Sequence, residues 1–318
     1  MIKIVALDGY TLNPGDLSWD QIGKLGALEV YNRSTILQAQ ERVKDAQILI
    51  VNKYNIDLDF LEHCNALQLV CVSATGYNNV DIQACKDRNI SVCNVAGYST
   101  TGVVQHTFAM LLHWMNSIGR HNSLVKKGYW SICPDFSFTA NPIQELAGKK
   151  FGVLGFGDIG SEVAKVAHAF GMEVQVCRRS DKPIEQAGFK KVDLDTLLAT
   201  SDIVSLHASL NTDSKDIINE NTLAKMKKSA ILINTSRGGL IQEDHLADCL
   251  REEGIQAALL DVLVEEPASL RHPLYEVPNC IITPHMAWAS VQSRARCMDT
   301  VSQNISAFLN KNPQNVIV

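Results

Sequence analysis

No Cys-x-x-Cys pair occurs in this chain, although it carries nine cysteines. The odd count and scattered positions exclude the disulfide framework of a small stapled scaffold, and no metal is expected. Five of the nine, Cys71, Cys93, Cys177, Cys249 and Cys280, lie inside apolar stretches. They read as free, mostly buried thiols in a reducing compartment. A basic excess is missing too: 29 Lys and Arg stand against 34 Asp and Glu, a net charge of -5, so nothing advertises a nucleic-acid partner. No apolar run reaches the length of a membrane span, and the N-terminus lacks the cleavage-type site of a secretory signal. A cytoplasmic protein with no membrane partner is expected. Repeats and low-complexity tracts are also absent.

What remains is 318 residues, 46% of them apolar, enough for two domains at roughly 150 residues each. Short apolar runs alternate with longer amphipathic ones, the pattern of a parallel sheet covered by helices. Strands are predicted at Ile2–Leu7, Ala27–Tyr31, Ile48–Val51, Leu69–Val72 and Ile90–Cys93, with helical patterns such as Thr35–Val43 and Leu58–Cys64 between them. The stretch from Thr101 to about Tyr129 reads as one long helix. A second series follows, with strands at Lys150–Gly155, Glu173–Cys177, Ile203–His207, Ala230–Asn234, Ala257–Asp261 and Cys280–Thr283. Six strands with intervening helices is the count of a dinucleotide fold. The last stretch, Val291 to Leu309, is again helical.

Gly155, Gly157 and Gly160 stand in Gly-x-Gly-x-x-Gly spacing between an apolar strand and a helix that runs through Val163, Val166 and Phe170. In that context the first glycine allows a tight turn, the second lets backbone approach a pyrophosphate, and the third lets helix and strand pack closely. The helix N-terminus offers free N–H groups to the anion. An NAD site usually carries an acid at the end of the second strand. Here that strand ends in Arg178, Arg179 and Ser180. Planar guanidiniums suit a 2′-phosphate, so NAD(P)H is the expected cofactor, with NADPH favoured over NADH. The alternative is a solvated basic turn, with Asp181 reaching the ribose instead.

Three more strands end in polar residues. Arg237 follows Ile231-Leu-Ile-Asn-Thr-Ser, Glu266 precedes Pro267, and His285 follows Pro284. In an open α/β sheet, ligands bind at the carboxyl ends of strands, so these loops should face the glycine loop's crevice. An arginine can clamp the carboxylate and carbonyl of a 2-oxo acid, a histidine can exchange a proton with its oxygen, and a glutamate can orient the imidazole. That is nearly all a hydride transfer asks of the protein. Arg237, Glu266 and His285 are therefore the candidate catalytic residues.

With Ala74-Thr-Gly-Tyr-Asn-Asn-Val-Asp81, the glycine loop, Leu206-His207, Asn234-Thr-Ser-Arg-Gly-Gly239, Leu260-Asp-Val262, Glu266-Pro and Thr283-Pro-His285, the chain resembles the D-isomer-specific 2-hydroxyacid dehydrogenases over nearly its whole length. Within that family it is most similar to the glycerate dehydrogenase and hydroxypyruvate (glyoxylate) reductase group. The resemblance implies an α/β architecture in which a Rossmann dinucleotide-binding domain, residues 99–286 with a dimerisation helix, is inserted in a flavodoxin-like substrate domain, residues 1–98 and 287–318. It implies a homodimer that uses the helix after Thr101. It also implies that the backbone amides of Thr75 and Gly76 take the substrate carboxylate, while Lys53 and Trp288 line the substrate pocket. The expected cofactor set is Gly155, Gly157, Asp158, Ile159, Gly160, Arg178, Arg179, His207, Thr235 and Asp261, the last holding the nicotinamide carboxamide. The implied reaction interconverts hydroxypyruvate or glyoxylate with D-glycerate or glycolate. A D-lactate or other 2-oxo acid reductase, and a non-catalytic NAD(H)-sensing corepressor-like protein, are the alternatives. Arg178 in place of the usual acid, Gln105 in place of a common glutamate, and Ser209 in place of a proline depart from the family pattern.

Overall fold

Runs such as Ile48-Leu-Ile-Val51 and Leu69-Val-Cys-Val72 have no polar face, and all eight residues are buried. Strands of that kind need cover on both sides, which a parallel sheet between helices supplies. The structure is a computed structural model that describes residues 1–180 and 183–318. Its chain divides into two units, Met1–Ser99 with Trp288–Val318, and Thr100–Ala287.

The first unit begins with β1 (Lys3–Ala6), α1 (Asp20–Gly23), β2 (Ala27–Val30), α2 (Ile36–Val43), β3 (Ile48–Val51), α3 (Leu58–Leu61), β4 (Leu69–Val72), α4 (Ile82–Asp87) and β5 (Ser91–Cys93). Its five strands are all parallel, in the order β2-β1-β3-β4-β5. This is the flavodoxin-like order, whose switch point lies between β1 and β3. Local chemistry starts its helices: Thr35 and Gln38 form a capping box at α2, and Asp57 and Asp81 cap α3 and α4. These caps satisfy N–H groups that no helical carbonyl can reach.

The second unit carries α5 (Thr100–Asn116), α6 (Ile118–Lys126), β6 (Lys150–Leu154), α7 (Asp158–Ala169), β7 (Glu173–Cys177), β8 (Phe189–Lys191), α8 (Leu194–Thr200), β9 (Ile203–Leu206), α9 (Glu220–Leu223), β10 (Ile231–Asn234), α10 (Glu243–Arg251), β11 (Ala257–Leu260) and β12 (Cys280–Ile282). Its sheet is parallel, in the order β12-β11-β10-β9-β6-β7-β8. That is the doubly wound Rossmann arrangement, with its switch point between β6 and β9. One apolar cluster packs α5 and α7 on the sheet through Phe108, Leu111, Phe151 and Val163. A second lies under α8, α9 and α10. The chain then returns to the first unit as α11 (Val291–Leu309), whose Cys297, Val301 and Ile305 join the core around β1, β3 and β4.

Four expectations are corrected. The helix predicted from Thr101 to Tyr129 is broken at Ser117, which has φ +46 and separates α5 from α6. The Leu58–Cys64 pattern makes only the single turn α3. The second sheet has a seventh strand, β8, on its edge, where only one of its three residues is even half-buried. Finally, all nine cysteines are free, but the buried ones are Cys71, Cys85, Cys93 and Cys297, whereas Cys177, Cys249 and Cys280 are half-buried. Among the described residues no helix is long and apolar enough to cross a membrane, and no group of His, Cys, Asp and Glu side chains is placed to hold a metal ion.

Candidate active site

The glycine loop joins β6 to α7 and is shaped by what its neighbours leave. Gly155 has φ +94, and a Cβ there would lie 2.5 Å from the Ala208 nitrogen. Gly160 is as tightly held, since its Cβ would meet the Gly155 carbonyl oxygen at 2.2 Å. Both are glycine because the fold requires it. Gly157 differs: it caps α7 with extended backbone, and nothing lies within 4 Å of where its Cβ would be. The missing side chain opens space that the chain itself does not fill, at the end of a twelve-residue helix whose free N–H groups favour an anion. Asp158 and Ile159 form the first turn of that helix. The cradle fits a dinucleotide pyrophosphate.

Beyond β7, Arg178 donates to the Pro183 carbonyl at 3.0 Å and lies over the Phe156 ring at 5.7 Å. Arg179 pairs with Asp213 at 2.7 Å, both side chains being largely exposed. Asp181, weighed as the ribose-binding alternative, lies outside the described residues. His207 follows β9, contacts Ser205 Oγ through Nε2 at 2.8 Å, and has its pKa pushed down to about 4 by burial. It stays neutral at ordinary pH.

The catalytic candidates come from three neighbouring strands of the same sheet. Arg237 lies just past β10, with its carbonyl held by the Asn234 side chain at 2.8 Å and its own Nη1 donating to the Ser236 carbonyl at 2.8 Å. Past β11, Glu266 Oε1 accepts from the Leu263 amide at 3.0 Å and Oε2 accepts from His285 Nδ1 at 2.5 Å. A carboxylate only accepts, so the proton between them belongs to Nδ1 and His285 keeps Nε2 for substrate. His285 itself has φ +50, a left-handed conformation that costs a histidine on the order of 1 kcal/mol and persists only where surroundings impose it.

Asp261 imposes it. This carboxylate has no side-chain exposure; it accepts from Thr283 Oγ1 at 2.6 Å, the Met286 amide at 2.9 Å and the Ala287 amide at 2.8 Å. Its backbone carbonyl takes the His285 amide at 2.7 Å. Burial pulls its pKa upward, but the hydrogen bonds from His106, Thr283 and the two amides outweigh that and hold it below the usual carboxylate value. The turn carrying His285 is thus clamped on both sides of the imidazole by one buried charge.

The substrate candidates belong to the first unit. Lys53 follows β3, and the consecutive amides of Asn52, Lys53 and Tyr54 all donate to Asp8, at 2.6 to 3.1 Å. Thr75 and Gly76 follow β4, where Thr75 Oγ1 donates to the Val95 carbonyl at 3.0 Å. Trp288 stands edge-on to Tyr98, with ring centroids 6.4 Å apart. Asp8 as the organiser of the Lys53 loop, and Glu243, which accepts from the Val264 amide at 2.8 Å behind Glu266, were not read from sequence. Nor was His106, whose one sequence signal is a histidine inside an otherwise apolar helix.

A phosphate cradle and a carboxylate-backed imidazole at the ends of one parallel sheet place the protein among dinucleotide-dependent oxidoreductases. The family model described as D-isomer specific 2-hydroxyacid dehydrogenase, NAD binding domain, matches residues 108–287. The chain belongs to that family. It is 41% identical to a hydroxypyruvate reductase of Blautia hydrogenotrophica over 99% of both chains, and 37% identical to a glycerate dehydrogenase of Methylorubrum extorquens over 87% of both. Among solved structures, an acyclic imino acid reductase in complex with NADPH and D-Arg superimposes with a TM-score of 0.86 at 33% identity, over 100% of both chains. A D-lactate dehydrogenase from Aquifex aeolicus complexed with NAD and lactic acid gives 0.85 at 26%, over 98% of this chain and 96% of that one. The cofactor of this chain is a nicotinamide dinucleotide.

Proposed function

We propose that the protein reduces a small 2-oxo acid, hydroxypyruvate to D-glycerate or glyoxylate to glycolate. The observation that carries this reading is the 2.5 Å bond between His285 Nδ1 and Glu266, which leaves Nε2 to deliver a proton to the substrate carbonyl oxygen. The bound dinucleotide supplies the hydride. Arg237 holds the substrate carboxylate and carbonyl by paired N–H donors. Glu266 orients the imidazole throughout by accepting the Nδ1–H hydrogen bond, so the positive charge on His285 is balanced before transfer and is gone once the Nε2 proton has moved to the substrate oxygen, with Nδ1 keeping its hydrogen. In this reading the Thr75 and Gly76 amides also take the carboxylate, and Lys53 and Trp288 contact the polar tail. Names of the curated relatives, hydroxypyruvate reductase, glycerate dehydrogenase and glyoxylate reductase, support this choice over a D-lactate reductase.

The dinucleotide contacts run through Gly155, Gly157, Asp158, Ile159, Gly160, His207 and Thr235. The carboxamide contact expected of Asp261 requires one of its intrachain hydrogen bonds to open, because its side chain has no exposure. A preference for NADPH is supported by Arg178 and Arg179 just past β7, whose planar guanidiniums can pair with the 2′-phosphate that NADPH carries and NADH lacks, Arg179 exchanging its exposed partner Asp213 for it. Homodimerisation through α5, α6 and the segment beyond is supported by α6, which buries no residue in its own chain, and by exposed Trp130, Ile132 and Phe136. Nine free thiols suit the reducing cytoplasm.

The test is initial-rate measurement of nicotinamide absorbance with hydroxypyruvate, glyoxylate, pyruvate and a branched 2-oxo acid, each with NADPH and with NADH. The reading expects the highest kcat/KM for hydroxypyruvate or glyoxylate with NADPH. A preference for pyruvate would favour the lactate reading, an NADH advantage would remove the phosphate role of Arg178 and Arg179, and no turnover at all would favour a binding protein.

A further inference from the structure

We infer that His106 is a positioning residue for proton transfer: from α5 it donates Nε2–H to the Thr283 hydroxyl and so orders the Thr283–Asp261 clamp that holds the His285 turn. This rests on the reading of His285 as the proton donor.

His106 Nε2 lies 2.9 Å from Thr283 Oγ1 and 3.4 Å from Asp261 Oδ1. The direction of each bond is set by inventory. Asp261 can only accept, so the single hydroxyl hydrogen of Thr283 goes to it across 2.6 Å. The Thr283 oxygen then has lone pairs alone to offer, and the ring nitrogen facing it must carry hydrogen. The charged group that faces His106 is therefore Asp261, and the histidine needs no positive charge to fill its place. One turn further along the same face of α5, Met110 Sδ approaches Thr283 Oγ1 at 3.8 Å. The residue after His106, Thr107, is fully buried and meets Thr235 Oγ1 at 3.3 Å at the end of β10. Two successive residues of one helix thus reach the ends of β10, β11 and β12, the strands that carry Arg237, Glu266 and His285.

Removal of the His106 donor leaves Thr283 free to turn its hydroxyl elsewhere, and Asp261 loses an ordering partner while it still holds Met286 and Ala287. The left-handed backbone at His285 then has fewer restraints, and its Nε2 drifts from the transfer position. Displacements of about 1 Å at a reacting group cost on the order of a hundredfold in rate. Neither His106 nor Thr283 is among the residues assigned to substrate or dinucleotide, and Asp261 keeps its bonds to the Met286 and Ala287 amides, so the loss falls chiefly on kcat, with at most a small change in dinucleotide Kd through the Asp261 carboxamide contact.

The experiment compares wild type with His106→Leu, His106→Gln, Thr283→Val and the His106→Leu/Thr283→Val double variant, with His285→Ala as reference, in hydroxypyruvate reduction. Dinucleotide affinity is followed by nicotinamide fluorescence, and folding by circular dichroism. The expected result is a fall in kcat on the order of tenfold to hundredfold for His106→Leu, with KM held and dinucleotide Kd changed far less than kcat. Glutamine can present an N–H from the same place, so His106→Gln recovers much of the loss. Thr283→Val falls similarly, and the double variant is no worse than the poorer single one, because both cut the same chain. Should His106→Leu fail to fold, Thr283→Val, which exchanges a hydroxyl for a methyl, carries the test alone. Wild-type kcat in either folded variant overturns the inference, and so does a joint rise in KM and Kd that glutamine does not repair. If His285→Ala itself keeps full turnover, the proton-donor reading fails, and the role of His106 falls with it by a separately recognisable route.

Discussion

Adding one methyl group at Gly238 should disable the site from behind. A Cβ there would lie 2.0 Å from the Leu263 carbonyl carbon, 2.1 Å from its oxygen and 2.3 Å from the Val264 nitrogen. These are backbone atoms, so no flexible side chain can swing aside, and the 263–264 backbone must retreat by about 1 Å or more to reach ordinary packing distance. That backbone is tied at two points. The Leu263 amide donates to Glu266 Oε1 at 3.0 Å, and the Val264 amide to Glu243 Oε1 at 2.8 Å. Glu243 is braced in turn by His272 at 3.1 Å. The strain therefore passes into Glu266 and from it to His285. Overpacking of this kind costs about 1–3 kcal/mol of stability, and misplacement by about 1 Å costs on the order of a hundredfold in kcat. Gly238→Ala should show a Tm lowered by several degrees and a kcat for hydroxypyruvate reduced by about that factor, with dinucleotide affinity retained. A variant with wild-type kcat and Tm would refute the claim that the Arg237 and Glu266 loops are held rigidly against each other.

Gly157→Ala is the opposite case. Its Cβ meets nothing within 4 Å, so thermal stability should hold while the Kd for the dinucleotide rises; unchanged affinity in a fluorescence titration would mean that the cofactor does not approach this backbone. His207 gives a pH dependence. Its folded-state pKa of about 4 lies below the ordinary 6.5, so the unfolded chain takes up the proton first, and stability is full above pH 6.5 and declines as pH falls toward 4. The residue keeps some surface, and the loss is at most about 3 kcal/mol. Chemical denaturation across that range should show a steeper acid decline in wild type than in His207→Asn, and parallel curves would contradict the assignment. Arg179→Ala should narrow the gap between NADPH and NADH in kcat/KM, and an unaltered ratio would shift the phosphate role wholly to Arg178.

Which parts of this were legible in the sequence follows from range. Buried parallel strands are short runs without a polar face, so Ile48–Val51 and Leu69–Val72 are readable to the residue. The edge strand Phe189–Lys191 escaped, because an edge position needs little apolar content and its two lysines are exposed. The break at Ser117 is not legible because the one nearby breaker, Gly119, falls two residues beyond it and is itself taken into α6. Arg237, Glu266 and His285 are legible as candidates because each lies in the loop that follows a strand, and such loops in open α/β sheets face the ligand. His106 was out of reach of any local pattern: its partner Thr283 lies 177 residues away, and only the folded sheet brings α5 under the ends of β11 and β12. Asp8 is similar, an acid 44 to 46 residues from the amides it holds. Roles that depend on a residue's own segment are written locally, while roles that depend on holding another segment are not.

The proton relay is the centre of the account, and His285→Ala tests it most directly. Steady-state reduction of hydroxypyruvate by NADPH, followed at the nicotinamide absorbance, should lose on the order of 10²–10⁴-fold in kcat, the usual effect of deleting a general acid, while the dinucleotide Kd stays that of wild type. Turnover at the wild-type rate in the folded variant would show that the imidazole held by Glu266 is not the proton donor.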